Sequence, residues 1–459
     1  MNGVAQAFAV RLVAALLALA ALAWVARAEA SPARQAAVAT NTEHVEGMVT
    51  SGRHLWVATR GGVERYTLPD FNERRLYTTD HGLAGTYVRS VAIERSPTGA
   101  VVVARTQGKA CRLRGDRFVC ADAAPLPSPE PAVAPRFANA RVTGRLRVGS
   151  RTVVGTAGAG LWLAKGAGDQ ARRLTPTDQV CSNHVMTMAD YDGRVWLGSF
   201  DRGLCTTADG RRFERVAAPF RMVNELEATP HGLFIASSAG LFRTRDGATF
   251  ERVAAVTERG VNGLAYDGRS LWVTTPGALF RVRLGRRGPR DWNWWMPAGS
   301  RSLQAVAVSP DRRVWIATED RGVIVKTGRR FRAIDRAAGM PSSWVLDVAV
   351  GADGVAYAAT LRDGVVAIDD RLRRRRVRGL PDKWTLDVHE DPAGLWVGTQ
   401  GGAALVSAGG ASEVVGVPHP NVHGFLRAGG KVFVATEGGL LVVSEPVSVA
   451  AASAAAEPL

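Results

Sequence analysis

An all-β fold assembled from repeated four-stranded sheets is predicted for this 459-residue chain by three observations: a phrase that recurs with a period near forty, four short apolar runs within each period, and a turn-rich composition with 50 Gly and 22 Pro. The phrase is plainest near the two ends, in "RHLWVATRGGV" (residues 53–63) and "GKVFVATEGGL" (430–440). Aligning its weaker copies on the large apolar residue gives ten positions, Trp56, Val102, Val153, Trp196, Phe234, Trp272, Trp315, Tyr357, Trp396 and Phe433, spaced 37 to 51 residues apart. Units of about forty residues with four strands each mark β-propeller blades and not helical solenoids. The expectation is a β-propeller of about ten four-stranded blades, with a range of eight to ten. Ten exceeds the usual four to eight, so a division of the array into two rings stays open.

Taken in chain order, residues 1–30 come first. Arg11, the uncharged run 12–26 and the small residues of "ARAEA" read as a secretory signal peptide, too short to span a bilayer comfortably. The mature chain is expected to lack a transmembrane anchor and to be periplasmic or secreted. Residues 31–446 form the propeller. Within it "RQAAVAT" (34–40) precedes the first unit, while the last unit lacks a fourth strand, so the N-terminal strand is expected to complete the last blade and cover its open edge. The Pro-rich stretch 125–135 is a loop between the second and third units and accounts for the longest spacing. Residues 447–459 read as a disordered Ala-rich tail.

Each unit parses alike. In residues 303–334 the strands "LQAVAVS", "VWIAT", "VIVKT" and "FRAI" are joined by "PDRR", "EDRG" and "GRR". The large residue supplies contact area between blades, and a small residue two positions on lets neighbouring sheets approach. One sheet cannot bury both of its faces, so copies must stack.

Four cysteines suit an oxidising compartment. A two-residue Gly115-Asp116 turn pairs Arg114 with Arg117 and sets Cys111 opposite Cys120 in a non-hydrogen-bonded pair, where side chains come closest. Cys181 and Cys205 are left to each other, either as a second disulfide or as buried free thiols.

Segments such as "GLPDKWTLDVHEDPAGLWVGTQGG" and "VCSNHVMTMADYDGRVWLGSFDRGL" resemble the two-component regulator propeller repeat of periplasmic sensor regions and of related stand-alone, WD40-like exported proteins. The resemblance covers roughly residues 40–444 and implies a ligand- or protein-binding sensor propeller. No membrane helix or kinase follows the repeats, so a sensor-kinase reading fails. "TADGRRFERV" and "TRDGATFERV" are similar to Asp-box turns, in which Asp209 and Asp246 would brace a hairpin.

The innermost strand of each blade starts at the central mouth. The slot preceding it holds His44, Tyr87, Arg141, His184, Met222, Gly260, Ser302, Trp344, Trp384 and Asn421. Here the repeat stops repeating. His44, Tyr87, Arg141, His184, Trp344, Trp384 and Asn421 are therefore the candidate ligand-binding residues, with freely drifting exposed loop as the other reading.

No metal-protease, CxxC, nucleophile-elbow, EF-hand or phosphate-cradling motif is present, so neither a metal nor a cofactor is expected, and no catalytic residue is assigned. His44 and His184 occupy equivalent slots, but a satisfied or exposed histidine is the simpler reading of each. In "DWNWWMP", Trp292 and Trp295 align with packed positions of other outer strands, leaving Trp294 as the surface residue.

A formal charge of +16 favours an anionic partner such as an envelope glycan. Arg373, Arg374, Arg375 and Arg376 are concentrated on an outer strand as a candidate basic rim, although edge charge also prevents sheet-to-sheet aggregation. Nucleic acid is excluded by the export signal and the absence of a binding motif. The reading is a monomeric, non-catalytic binding module for an unknown protein or an anionic envelope glycan. Two alternatives remain: a lyase- or glycosidase-like enzyme acting at the mouth, which requires a carboxylate beside His44 or His184, and an envelope scaffold using the basic rim.

Overall fold

The computed structural model describes residues 36–96, 99–126, 135–165, 170–285, 288–296, 299–300, 302–444 and 449–451; the expected signal peptide and most of the Pro-rich loop lie outside them. Among the described residues the strands form ten sheets, eight of four strands and two of five. Each follows the repeat, from the first sheet (residues 45–77) to the tenth (422–444).

The repeated residues do the work their chemistry allows. Trp56, Trp196, Phe234, Trp272, Trp315, Trp396 and Phe433 are all buried between sheets. Two positions on, a Cβ added at Gly198 would lie 2.5 Å from Val223 Cγ1, and one at Gly398 would lie 2.4 Å from the carbonyl oxygen of Val422. The small residue is thus where the innermost strand of the next sheet presses in. In the "RGG" turn Gly62 has φ 128°, and a side chain there would meet the Tyr77 carbonyl oxygen at 2.3 Å.

The ten sheets do not share one ring. Six apolar clusters join the fourth sheet to the fifth, and so on in chain order to the tenth. The seventh cluster packs Leu197, Cys205 and Phe213 of the fourth sheet against Phe433, Leu440 and Val442 of the tenth, which closes a seven-bladed propeller. The remaining three sheets form an arc with the first in the middle: Trp56 and Tyr77 pack on the second sheet, and Val45, Val57 and Tyr66 on the third. A Cβ at Gly155 would lie 2.7 Å from Val45 Cγ1, so the third sheet precedes the first in the same sense as successive blades of the ring. The ten blades expected are therefore present, seven of them in the closed ring and three in the arc, so the array divides and does not close as one circle. Seven sheets suffice to bury every face in the closed group, and the period of the sequence is blind to which sheets become neighbours.

The strand Ala36–Ala39 pairs with Gly439–Ser444 and completes the tenth sheet, as expected. The arc is therefore inserted between the strand that closes the ring and the ring's first full blade. Its two connections are stitched together. Asn183 Nδ2 donates to the Asn41 carbonyl at 2.9 Å, the Asn41 N–H donates to Asn183 Oδ1 at 2.5 Å, and Asn41 Nδ2 donates to the Val180 carbonyl at 2.9 Å.

Both disulfides form, Cys111–Cys120 with the Arg114–Arg117 register expected and Cys181–Cys205 between the ring's first connection and its fourth sheet. Asp209 and Asp246 brace their turns: Asp209 Oδ1 accepts from the N–H groups of Arg211 and Arg212, and Asp246 Oδ1 from those of Ala248 and Thr249. Two expectations are corrected. Val449–Ala451, assigned to the tail, adds a fifth strand to the ninth sheet beside Gly410–Val414. Trp292 is 53% exposed beside Trp294 at 57%, and Trp295 alone packs, stacked on Trp272 at 5.9 Å. Residues three apart on a strand point to opposite faces, so the two tryptophans could not share one packed face.

Candidate functional site

The innermost strands of the seven-sheet ring surround a central channel of about 770 Å³. In six of the seven ring sheets the first strand pair carries one extra residue directly after its first residue, between Val185 and Thr187, Val223 and Glu225, Leu303 and Val306, Val345 and Asp347, Thr385 and Asp387, and Val422 and Gly424. A bulge re-aims side chains, and here it turns polar residues toward the axis. Glu225, Glu227, Asp347 and Asp387 line the channel.

Few partners serve these acids. Thr187 Oγ1 donates to Glu225 Oε1 at 3.0 Å, and the Val388 N–H donates to Asp347 Oδ2 at 2.9 Å. Asp387 Oδ2 is buried without a hydrogen bond. Burial pushes the Glu225 carboxyl up to about 8, with the Asp347 charge adding to the rise, and burial pushes Glu227 up to about 7. Asp387 is held well above its ordinary value by burial and then by the charges of Asp347 and Glu225. The channel wall is thus a set of carboxyls that resist ionisation together.

The predicted mouth residues separate into two groups. His44, Tyr87 and Arg141 belong to the arc. There Arg60 Nε lies 2.8 Å from Glu46 Oε1, His44 Nε2 lies 3.5 Å from the same oxygen, and the Arg60 guanidinium sits 5.0 Å over the Tyr87 ring. Burial, with the charge of Arg60, lowers the His44 imidazole to about 4.

His184, Trp344, Trp384 and Asn421 instead occupy the rim of the ring. Trp344 is 43% exposed and lines a cleft of about 430 Å³ with Glu319, Arg336, Arg362 and Asp363. The Arg362 guanidinium lies 4.8 Å over the Trp384 ring, and the strand-like bridge between Leu361 and Trp384 fixes that pairing. His44 and His184 thus fall in different constellations.

At His184 the rim holds two residues that the slot comparison missed, His423 and Glu437. His423 Nε2 is 3.2 Å and His184 Nε2 3.7 Å from Glu437 Oε1. The His184 ring stacks on Phe200 at 4.8 Å, and the His184 backbone N–H donates to Ser182 Oγ at 3.0 Å. A hydrogen bond from His423 holds the Glu437 carboxyl below the usual carboxylate range, a bond from Asn421 helping, while burial lowers the His184 imidazole. His423 stands two positions after the Asn421 slot and Asp347 three after the Trp344 slot; extending the column comparison by three residues finds both. Carboxylates do lie beside His44 and His184, so the condition set for an enzyme is met at both places.

The basic residues lie on the outermost strand of the eighth sheet, Arg374–Arg376. Arg373 pairs with Asp369 at 2.6 Å and Arg376 approaches Asp363 at 3.8 Å. Arg375, Arg376 and Arg378 line a groove of about 780 Å³ between the eighth and ninth sheets, with Tyr357 and Glu390. No helix among the described residues is long and apolar enough to cross a membrane.

The fold is that of a β-propeller, and solved structures of the same kind share it. The chain is similar to the extracellular domain of the hybrid two-component system BT3049 from B. thetaiotaomicron, at 15% identity and a TM-score of 0.52, over 86% of this chain and 60% of that one. A second extracellular domain, of the hybrid system BT4673 from the same organism, aligns at 12% identity and a TM-score of 0.50, over 88% and 71%. PorZ, a surface component of the type-IX secretion system of Porphyromonas gingivalis, aligns at 15% identity and a TM-score of 0.52, over 87% and 62%. The chain therefore spans about three fifths of the length of the first of these. No family model matches the sequence, and no curated protein matches it.

Proposed function

We propose that this chain is an exported, non-catalytic binding propeller that captures a ligand or protein partner at the rim of its seven-sheet ring. The observation that carries the reading is the break in the repeat. Positions that pack between sheets stay aromatic or aliphatic, whereas the rim positions run through imidazole, indole and amide, and Trp344 stands exposed over a cleft. A half-exposed indole flanked by arginines and carboxylates offers apolar area together with orienting polar groups. The two disulfides suit export to a periplasmic or secreted location, and the extracellular neighbours favour a sensory role of the kind the repeat resembles.

The test is affinity capture from an envelope extract by the parent chain and by a variant carrying Trp344→Ala with Trp384→Ala, followed by mass spectrometry and glycan analysis. The expected result is a defined captured species that the variant loses at unchanged melting temperature. Equal capture by both chains overturns the rim reading.

The groove beside the basic strand favours a second reading, a scaffold for an anionic glycan. Arg375→Glu with Arg376→Glu would abolish capture in that case and leave it intact in the first.

A further inference from the structure

We propose that His184, His423 and Glu437 form a binding site for a divalent transition-metal ion of the zinc class at the rim of the ring. One ligand atom from each residue lies within 4.8 Å of the others, the one such triad among the described residues. Ligands bonded at about 2.0–2.1 Å to a tetrahedral ion stand roughly 3.3 Å from one another. The separations of 3.2 and 3.7 Å between the two Nε2 atoms and Glu437 Oε1 bracket that value, and the two imidazoles, within 4.8 Å of each other, would close on an ion entering between them.

The donor set selects the ion. Two imidazoles with one carboxylate suit zinc, cobalt or nickel, whereas calcium and magnesium require more oxygen ligands. The cysteines are committed to disulfides and offer no competing thiolate. Each ligand is also placed by backbone. His184 is fixed by Ser182, by the Phe200 N–H donating to its carbonyl at 3.1 Å, and by the Phe200 ring. His423 sits on the bulge of the tenth sheet, and the Glu437 N–H donates to the Asn421 carbonyl at 3.2 Å. Both ends of the ring's closing interface therefore contribute, the fourth sheet one ligand and the tenth sheet two. Three protein ligands leave at least one position for water or for a donor atom of a bound molecule.

The inference goes beyond the ligand reading and is tested with metal alone. The full chain, without an affinity tag and stripped with a chelator, is titrated with Co2+, read by visible d–d absorption, and with Zn2+, read by equilibrium dialysis. One equivalent is expected to bind saturably, with a rise in melting temperature. His423→Ala and Glu437→Gln are each expected to weaken binding by roughly tenfold or more, while His231→Ala, outside the triad, leaves it unchanged. Glu437→Gln keeps the side-chain volume and decides the matter if His423→Ala folds poorly. A parent chain that binds neither ion, or a double variant that binds them as the parent does, overturns the site. Failure here leaves the capture experiment untouched, and failed capture leaves the titration untouched.

Discussion

The carboxyls of the channel set a pH dependence at the level of single residues. Glu225 has an ordinary value of 4.5 that burial raises to about 8. Between those limits the folded chain holds a proton that the unfolded chain has released, so stability contributed by this group is full below about 4.5 and is lost as pH rises toward 8. Glu227, Asp347 and Asp387 are shifted in the same direction and reinforce the slope. Glu225→Gln, which cannot ionise, is expected to leave the melting temperature little changed at pH 5 and to stabilise the fold at pH 8. The gain is on the order of 1–3 kcal/mol. Denaturant titrations at the two pH values check this. A variant equally stable or less stable at pH 8 would show that Glu225 is ionised there without cost.

For the strands and turns, what the sequence announced was packing. The large apolar slot, the small residue two positions on and the turn glycines were all legible because each recurs for one steric reason. Gly398 shows how tight that reason is, since an added Cβ would meet backbone and not a yielding side chain. Gly398→Ala is expected to cost about 1–3 kcal/mol, as overpacking does, and the same change at Gly409, where the nearest atom is 3.9 Å away, to cost far less. Chemical unfolding of the two variants separates them. Trp292 was misread because its neighbours on the strand were weighed without the alternation of faces. His423 and Glu437 escaped for another reason. They lie on a bulge and on a turn of one sheet and meet His184 of another, so only ring closure brings them together.

The whole molecule divides into a closed ring and an open arc, and their junction is the neck at Asn41 and Asn183. Beside it Glu43 draws in Arg173, Arg202 and Arg215; burial pushes its carboxyl up, and the hydrogen bonds and charges of Arg173 and Arg202 outweigh that and hold it below its ordinary value. Asn183→Ala leaves the Asn41 N–H and carbonyl without their side-chain partner. A loss of about 1–3 kcal/mol is expected, together with faster hydrogen exchange over residues 36–44 than in the ring's inner strands. Uniform exchange across the ring and the neck would show that the stitch is dispensable. The division itself was beyond the reach of periodicity: ten units of one pattern are compatible with one ring, two rings, or a ring and an arc, and the choice is made by which faces find each other.

The strand Ala36–Ala39 belongs to the tenth sheet, yet some four hundred residues separate it from its partner Gly439–Ser444. Whatever order the blades take, the ring can be sealed only after the last of them exists. Until then a bare β-edge is offered at one end and an unpaired segment waits at the other. A chaperone or a second chain competing for that edge would intervene at this step, and anything that pulls Ala36–Ala39 away would reopen the interface between the fourth and tenth sheets, loosening the floor on which His184 and His423 stand.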